Sequence, residues 1–237
     1  MISAFLDKRL LKKRTKYFFN KLTFAKQFNK NKIKLRDYSL ITENVNKYGI
    51  FKKENFIDNN LINDLSIEFE KIISAKNLNE RNQVQLTPEE GYQNQIFKKF
   101  FHENEIFDLL GQNYLLTDKL DKSAGGKRIF PMEPKEFANY QWHHDGDYRC
   151  FKIFILLSDI DEDGQKMEYL KGTHKLLNSH YNKTLKNDDS IIKKYEKISV
   201  IGKKGTCYFF DGNGLHRGNR NNSYIRDILS ITYRTFG

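Results

Sequence analysis

The first half of the chain carries apolar residues at helical spacing. In residues 1–36 the near-helical period is formed by Ile2, Leu6, Leu10 and Tyr17, and lysines recur at positions 8, 12 and 16. A second helix, capped by Asn60 or a neighbour, is predicted from the spacing of Leu61, Leu65, Phe69, Ile72 and Ile73. A third, aromatic-rich helical stretch is predicted from about Ile96 to Leu110, with Gly111 as its stop.

After about residue 125 the pattern changes to short apolar runs separated by turn residues. Alternation at 137–142 and an apolar run at 149–157 predict strands, as do the shorter runs at 168–170, 198–201, 205–210 and 228–234. An earlier short strand is predicted at 48–51, and the polar stretch 178–197 is interpreted as a surface insertion. Helices followed by many short strands indicate an α+β fold that is mainly β, a barrel or sandwich flanked by helices.

Composition narrows the class of protein. A chain of 237 residues with 38% hydrophobic and 14% aromatic residues fits one ordinary globular domain and argues against general disorder. No apolar run approaches the roughly 18 residues of a membrane-spanning helix, and residues 1–14 lack the apolar core of a signal peptide. Cys150 and Cys207 lie in apolar runs and are interpreted as buried free thiols in a reducing compartment, so a cytoplasmic location is expected.

The positive charge is confined to one end of the chain. Residues 1–36 hold twelve Lys or Arg and one acid, Asp7, so they account for the whole net charge of +11. We therefore predict a basic N-terminal arm over residues 1–43 and a charge-balanced domain over 44–237. The arm suits an anionic surface, including a peripheral contact with the inner face of the membrane, whereas specific nucleic-acid binding by the whole protein is disfavoured.

Among the six histidines, His143 forms the only His-x-Asp pair, with Asp145. On a strand these two side chains point to the same face, while His144 points to the other. A facial metal site needs two such adjacent ligands and a third from elsewhere, which His216 can supply from the mouth of a predicted strand. An isolated His-x-Asp pair is more often an ordinary histidine beside an acid, so the motif needs support from other residues.

That support comes from an arginine in the last predicted strand. Arg226 lies ten residues after His216, where a strand can direct its side chain into the fold. A buried guanidinium requires an anionic partner, and a dicarboxylate cosubstrate supplies one through two parallel hydrogen bonds. A surface role for Arg226, with Arg220 or Arg234 in its place, is the alternative.

These residues belong to four ordered motifs: QWHHD at 141–145, FKIFILLSDI at 151–160, YLKGTHK at 169–175 and GTCYFFDGNGLHRG at 205–218. With Arg226 to Arg234, they resemble the phytanoyl-CoA dioxygenase-like Fe(II)/2-oxoglutarate-dependent oxygenases over roughly residues 44–237. The resemblance implies a double-stranded β-helix, a jelly-roll or cupin-like barrel, flanked by N-terminal helices. It also implies that His143, Asp145 and His216 bind iron and that Arg226 binds the distal carboxylate of 2-oxoglutarate.

The activity implied by the resemblance is hydroxylation of a small or carrier-linked substrate with Fe(II), 2-oxoglutarate and O2, with ascorbate as a supporting reductant. The related halogenases lack the metal carboxylate that Asp145 provides here. A sugar of a bacterial surface-polysaccharide or lipid-linked glycan pathway is the substrate class we favour. Lys152, Arg128 and Trp142 are candidate pocket residues, with a surface role for the two cations and a core role for Trp142 as alternatives. His174 is expected to be a structural turn residue.

Two other classes of function remain open from the sequence. One is a cupin-like metal-binding module that is non-catalytic or acts as an epimerase. The other is an adaptor in which the basic arm binds an anionic surface and the β domain serves only as a scaffold.

Overall fold

The computed structural model describes residues 38–132, 140–145, 149–176, 190–219 and 224–235, together with Thr15, Phe19 and Leu185. The helices are α1 (Ser39–Tyr48), α2 (Asn59–Ser74), α3 (Pro88–Gln93), α4 (Gln95–His102), α5 (Glu105–Leu115) and α6 (Ser190–Lys194), and a 3-10 turn spans Thr173–Lys175. The strands are β1 (Ile50–Lys53), β2 (Gln83–Leu86), β3 (Leu120–Ile129), β4 (Phe151–Leu156), β5 (Met167–Leu170), β6 (Lys197–Val200), β7 (Cys207–Asp211), β8 (His216–Gly218) and β9 (Arg226–Thr235).

The strands form two antiparallel sheets. The larger sheet has the order β1-β7-β4-β9-β3-β2, and the smaller has the order β6-β5-β8. Side chains from both sheets share one hydrophobic cluster, in which Phe210 and Ile228 of the larger sheet join Met167 and Tyr169 of the smaller. The two sheets therefore face each other across a common core, as in a sandwich.

The opposite face of the larger sheet is covered by helices. Along β4 the side chains alternate, because Phe151, Ile153 and Ile155 join the cluster that contains the helices, whereas Leu156 joins the cluster between the sheets. Helix α2 contributes Leu65 and Phe69 to the helical side. The prediction of a mainly β fold with helices is therefore confirmed, and the closed double-stranded β-helix remains a prediction.

Local signals explain where the helices begin and end. Helix α2 begins after Asp58, whose carboxylate accepts hydrogen bonds from the backbone N–H groups of Asn60 and Leu61, so a neighbour of Asn60 is the cap. The stretch predicted from Ile96 to Leu110 is two helices, because Asn104 caps a new helix, α5. Gly111 is not a stop, since α5 continues to Leu115. A Cβ at Gly111 would lie 2.9 Å from Cγ of Tyr233, so glycine permits close packing of α5 on β9.

Of the predicted N-terminal arm, the structure describes Thr15, Phe19 and residues 38–43. The helix predicted within residues 1–36 lies outside the described residues, apart from Thr15 and Phe19. The predicted boundary between residues 43 and 44 falls inside α1, whose Ile41 and Val45 are buried in the helix-side core. Within the described part of the chain, no helix combines the length and apolarity needed to cross a membrane.

Candidate metal centre and adjoining cavity

Three predicted ligands are brought together by backbone pairing. His143 lies opposite His216 of β8, and each donates its backbone N–H to the carbonyl of the other at 3.0 Å. Two residues later, the N–H of Asp145 donates to the carbonyl of Gly212 at 3.0 Å. As a result, the metal-ligating atoms of His143, Asp145 and His216 all lie within 4.8 Å of one another.

The two imidazoles are oriented by their own chain. Nδ1 of His143 lies 2.8 Å from the carbonyl oxygen of Gln141, and Nδ1 of His216 lies 2.8 Å from that of Gly214. A carbonyl can only accept, so Nδ1 is the protonated nitrogen in each ring and Nε2 keeps its lone pair. Burial lowers the pKa of His216 to about 3, so this ring is neutral at pH 7. Both rings therefore offer Nε2 to a metal. Their Nδ1 atoms are held by backbone carbonyls, as in many metal-binding histidines.

Asp145 is held as a carboxylate. Its Oδ2 lies 2.6 Å from Nζ of Lys152 and 3.7 Å from Nε2 of His216. Burial acts to raise the pKa of Asp145, but His216, Lys152 and His143 together outweigh it and hold that pKa well below its usual range. The ion pair with Lys152 is the direct contact by which a cation stabilises the Asp145 carboxylate.

The turn from Asp211 to Gly214 shapes the centre from behind. The Asp211 carboxylate accepts hydrogen bonds from the backbone of Cys150 at 3.1 Å and of Asn213 at 2.9 Å, and from the Tyr114 hydroxyl at 2.5 Å. A Cβ at Gly212 would lie 2.4 Å from Oδ2 of Asp145. Glycine is therefore required at position 212 for the carboxylate to approach this turn so closely.

The three candidate ligands open onto a cavity of about 170 Å³ between the two sheets. Its described lining is Gln83, Lys127, Ile129, Tyr140, His143, Asp145, Lys152, Phe154, Met167, His216, Gly218 and Arg226. Arg226 is only 6% exposed and begins β9, paired with Ile129 of β3. The structure thus places the predicted metal ligands, Lys152 and the predicted cosubstrate arginine around one cavity.

Two predicted pocket residues lie elsewhere. Arg128 is on the opposite face of β3 from Lys127, where its guanidinium pairs with Asp227 at 2.7 Å and with Glu70 at 2.5 Å. Trp142 is 1% exposed in a separate core cluster, stacked under the guanidinium of Arg217 at 4.8 Å. Both assignments are corrected: strand alternation turns Arg128 toward the helices, and Trp142 is a core residue, the alternative considered for it.

Two further histidines contact backbone carbonyls, and the two alternative arginines are not among the described lining of the cavity. His144 directs Nδ1 to the carbonyl oxygen of Asn213, and Nε2 of His174 lies 3.1 Å from that of Asn46. Arg234 lies eight residues beyond Arg226, roughly 27 Å along an extended strand. Arg220 lies outside the described residues.

Sequence reasoning missed Lys127, Gln83 and Tyr140. The amide of Gln83 donates to the Tyr140 hydroxyl at 3.1 Å, so strand β2 contributes to the cavity wall. The segment that forms β3, LDKSAGGKRI, contains two glycines and few apolar residues, so it gave no strand signal. The alternation of Lys127 and Arg128 becomes visible only once β3 is recognised as a strand.

The predicted insertion at 178–197 is partly integrated into the fold. Leu185 is 7% exposed and donates its backbone N–H to the carbonyl of Trp142 at 2.8 Å. It packs in the same cluster as Trp142 and Leu215. These two residues directly precede the candidate ligands His143 and His216 in the sequence. This part of the segment therefore supports the back of the centre, rather than lying on the surface.

Neither a family model nor a curated protein matches this chain. Solved structures do match. EctD from S. alaskensis in its apoform aligns with a TM-score of 0.68 and 14% identity, over 82% of this chain and 75% of that chain. The alpha-ketoglutarate-dependent epimerase SnoN and carbocyclase SnoK, both from nogalamycin biosynthesis, give TM-scores of 0.63 and 0.61 with 12% and 13% identity. The SnoN match covers 83% of this chain and 82% of that chain, and the SnoK match covers 82% and 83%.

Some of these neighbours were solved with small molecules. SnoN is described in complex with Fe3+, alpha-ketoglutarate and nogalamycin RO, and EctD with bound Fe and, separately, with 2-oxoglutarate and 5-hydroxyectoine. At these identities the likeness concerns the fold. The chain therefore has a fold found in Fe- and 2-oxoglutarate-dependent enzymes, and the phytanoyl-CoA dioxygenase-like family remains a resemblance.

Proposed function

We propose that this protein is an Fe(II)- and 2-oxoglutarate-dependent dioxygenase that hydroxylates a small or carrier-linked substrate. The observation that carries the proposal is the joint presence of His143, Asp145, His216 and a buried Arg226 around one cavity. Two imidazole nitrogens and one carboxylate form the donor set that suits non-haem Fe(II), with further coordination positions left for ligands. The donor set therefore fits the metal, and Arg226 fits a carboxylate.

Some residues of the cavity would bind the cosubstrate, and other residues orient the metal ligands. The guanidinium of Arg226 would hold the distal carboxylate of 2-oxoglutarate through two parallel hydrogen bonds. Lys152 pairs with the Asp145 carboxylate, and the carbonyls of Gln141 and Gly214 keep both imidazoles directed at the metal position. Phe154, Ile129 and Met167 supply the apolar part of the cavity wall.

When bound, the metal and cosubstrate supply the oxidising chemistry, in which O2 converts 2-oxoglutarate to succinate and carbon dioxide and one oxygen atom enters a substrate C–H bond. A sugar of a bacterial surface-polysaccharide or lipid-linked glycan pathway is the substrate class that the resemblance favours. Halogenation is disfavoured, because Asp145 supplies the carboxylate ligand that related halogenases lack.

One observation favours a second outcome at the same centre. SnoN shares the fold and is described as an alpha-ketoglutarate-dependent epimerase. An epimerase of this kind would also need a metal and 2-oxoglutarate, so cofactor binding alone does not separate it from a hydroxylase. A non-catalytic metal-binding module would bind the metal without consuming 2-oxoglutarate.

The test measures succinate formed by the full-length protein with Fe(II), 2-oxoglutarate and a panel of nucleotide sugars, acyl thioesters and amino acids. Hydroxylation predicts substrate-dependent succinate and a product that carries one atom from 18O2. An epimerised product has the mass of its substrate and carries no such label. The matched control is Asp145→Ala, which should abolish turnover. If Fe(II) and 2-oxoglutarate fail to bind the wild-type protein, the proposed function is wrong.

A further inference from the structure

Lys127 is a cation of the cavity that the proposed chemistry does not use. It lies on β3, where strand pairing sets Lys127 opposite Ile228 and Ile129 opposite Arg226. Lys127 is therefore a diagonal neighbour of Arg226, at about 7–8 Å between backbones, within reach for long side chains. Its side chain lines the cavity, whereas the next residue, Arg128, faces the helices.

The neighbouring cations Lys152 and Arg128 are paired with carboxylates, whereas Lys127 is not paired with a described one. Lys152 is paired with Asp145 at 2.6 Å, and Arg128 with Asp227 at 2.7 Å. Within the part of the chain that the structure describes, no hydrogen bond or ion pair is made by the ammonium of Lys127. Burial, followed by the charge of Arg226, lowers the pKa of Lys127 to about 8. A half-buried cation without an anion among the described residues is costly to folding, which is the expected cost of a binding group.

The charges that line the cavity indicate the kind of ligand that it suits. Its described lining has three cations, Lys127, Lys152 and Arg226, and one acid, Asp145, so these four side chains carry an excess of two positive charges. Under the proposed function, the two charges of Fe(II) and the two of 2-oxoglutarate cancel. The described side chains of the loaded site would keep their excess of positive charge, which an uncharged substrate cannot offset.

We propose that Lys127 binds an oxyanion of the substrate, a phosphate or a carboxylate, so that the enzyme acts on an acidic small molecule. This inference rests on the proposed function. Arg226 is left to the cosubstrate, because its planar fork matches a carboxylate through two hydrogen bonds, whereas the ammonium of Lys127 is a point charge suited to either oxyanion.

The experiment uses the full-length protein loaded anaerobically with Fe(II) and 2-oxoglutarate, whose visible absorption band reports cosubstrate binding. Glucose 1-phosphate, glucuronate and glucose are then titrated calorimetrically as phosphate, carboxylate and uncharged probes of similar size. We expect at least one acidic probe to bind about tenfold or more tightly than glucose, as for a hydrogen bond to a charged group. The comparison of the two acidic probes distinguishes a phosphate site from a carboxylate site.

Three variants locate the effect. Lys127→Met should lose about tenfold or more in affinity for the preferred acidic probe and should form the 2-oxoglutarate band at nearly unchanged concentration. Lys127→Arg keeps the charge and should retain most of the probe affinity. Lys119→Met is the control, because Lys119 is exposed just before β3.

Two results would overturn the inference while leaving the dioxygenase proposal intact. One is a wild-type complex that binds neither acidic probe better than glucose. The other is a Lys127→Met protein that loses 2-oxoglutarate affinity but keeps probe affinity, which would make Lys127 a cosubstrate contact. Absence of the absorption band in the wild-type protein would instead reject the proposed function itself.

Discussion

His143 and His216 exchange a pair of backbone hydrogen bonds at 3.0 Å, and their ring centroids lie 4.5 Å apart. The pairing aligns the segment that contains Asp145 with β8 and with the turn that precedes it. The relative positions of the three candidate ligands are therefore determined by main-chain bonding, so a side chain at any one of them can be changed without losing the pairing.

The first prediction concerns these ligands. Replacement of His143, Asp145 or His216 by alanine should weaken Fe(II) binding by more than about 100-fold, because loss of an outer partner alone typically costs 10–100-fold. Anaerobic titration with Fe(II), checked by metal content after dialysis, measures the effect. His144→Ala is the control and should bind Fe(II) like the wild-type protein, since His144 bonds to the carbonyl of Asn213. Equal loss in the control would argue against the assignment.

The second prediction concerns Arg226. Arg226→Met should weaken 2-oxoglutarate binding by about 2–5 kcal/mol, the usual cost of removing one partner of a buried charge pair, with little change in Fe(II) affinity. The absorption band of the Fe(II)–cosubstrate complex provides the measurement. Arg234→Met is the matched control on the same strand. A larger loss in the control would transfer the role to Arg234, and no loss in either would leave Arg220 as the candidate.

The third prediction concerns Gly212. An alanine Cβ there would lie 2.4 Å from Oδ2 of Asp145, so Gly212→Ala should displace the carboxylate and weaken Fe(II) binding about tenfold or more. Gly172→Ala is the control, because Gly172 has φ +85° and open space around its Cβ position. The control should lose about 1–2 kcal/mol of folding stability and keep its Fe(II) affinity. Unchanged Fe(II) affinity in Gly212→Ala would mean that the turn moves instead.

The fourth prediction concerns pH. Burial, Arg226, Lys152 and, more weakly, Arg81 lower the pKa of Lys127 to about 8 against the pull of Asp145, whereas an unfolded lysine has a pKa of about 10.4. Between these values the unfolded chain binds more protons, so the free energy of unfolding should rise with pH. The metal-free Lys127→Met protein should lack this contribution.

The measurement is the Tm of both proteins across this range. Lys127→Met should be the more stable protein at pH 7, and its advantage should shrink as the pH rises from about 8 to about 10.4. Lys119→Met should follow the wild-type protein throughout. A Tm difference that stays constant with pH would contradict the lowered pKa.

The fifth prediction concerns the basic N-terminal arm. Deletion of residues 1–36 removes the whole excess charge, leaves α1 intact and removes no proposed ligand, so Fe(II) and 2-oxoglutarate should bind as before. Binding to anionic vesicles should fall, and binding of the full-length protein should weaken with salt. Co-sedimentation with anionic and neutral vesicles tests this. A full-length protein that ignores anionic vesicles at low salt would refute the docking role.

Site residues could be predicted from the sequence where the type of side chain and the spacing between residues are enough to indicate a metal site. His143 and Asp145 are two residues apart, so strand alternation predicts a common orientation, which the backbone pairing of this segment with His216 and Gly212 provides in the structure. The position of Arg226 ten residues after His216, in a predicted strand, was enough to expect its side chain inside the fold, and it lines the cavity, whereas its role toward 2-oxoglutarate stays a prediction. Each of these predictions depended only on residues that lie close together in the sequence, at 143–145 or at 216–226.

Other features depend on partners that are distant in the sequence. Lys127 and Arg128 are adjacent and similar in type, and only the pairing of β3 with β9 determines which one faces the cavity. A glycine such as Gly111 is typical of a helix end, but here the close approach of Tyr233 is the reason that position 111 has no side chain. Trp142 and Leu185 meet through a backbone bridge that no local period reveals.

The ion pair between Arg128 and Asp227, extended to Glu70 of α2, also has a consequence for folding fidelity. A slip of β3 by one residue relative to β9 would turn every side chain of the strand to the other face. Arg128 would then enter the cavity, and Lys127 would meet the helices without its present surroundings. A misregistered chain would thus lose a bidentate ion pair, so this salt bridge on the far side of the sheet favours the register in which Lys127, and not Arg128, faces the cavity.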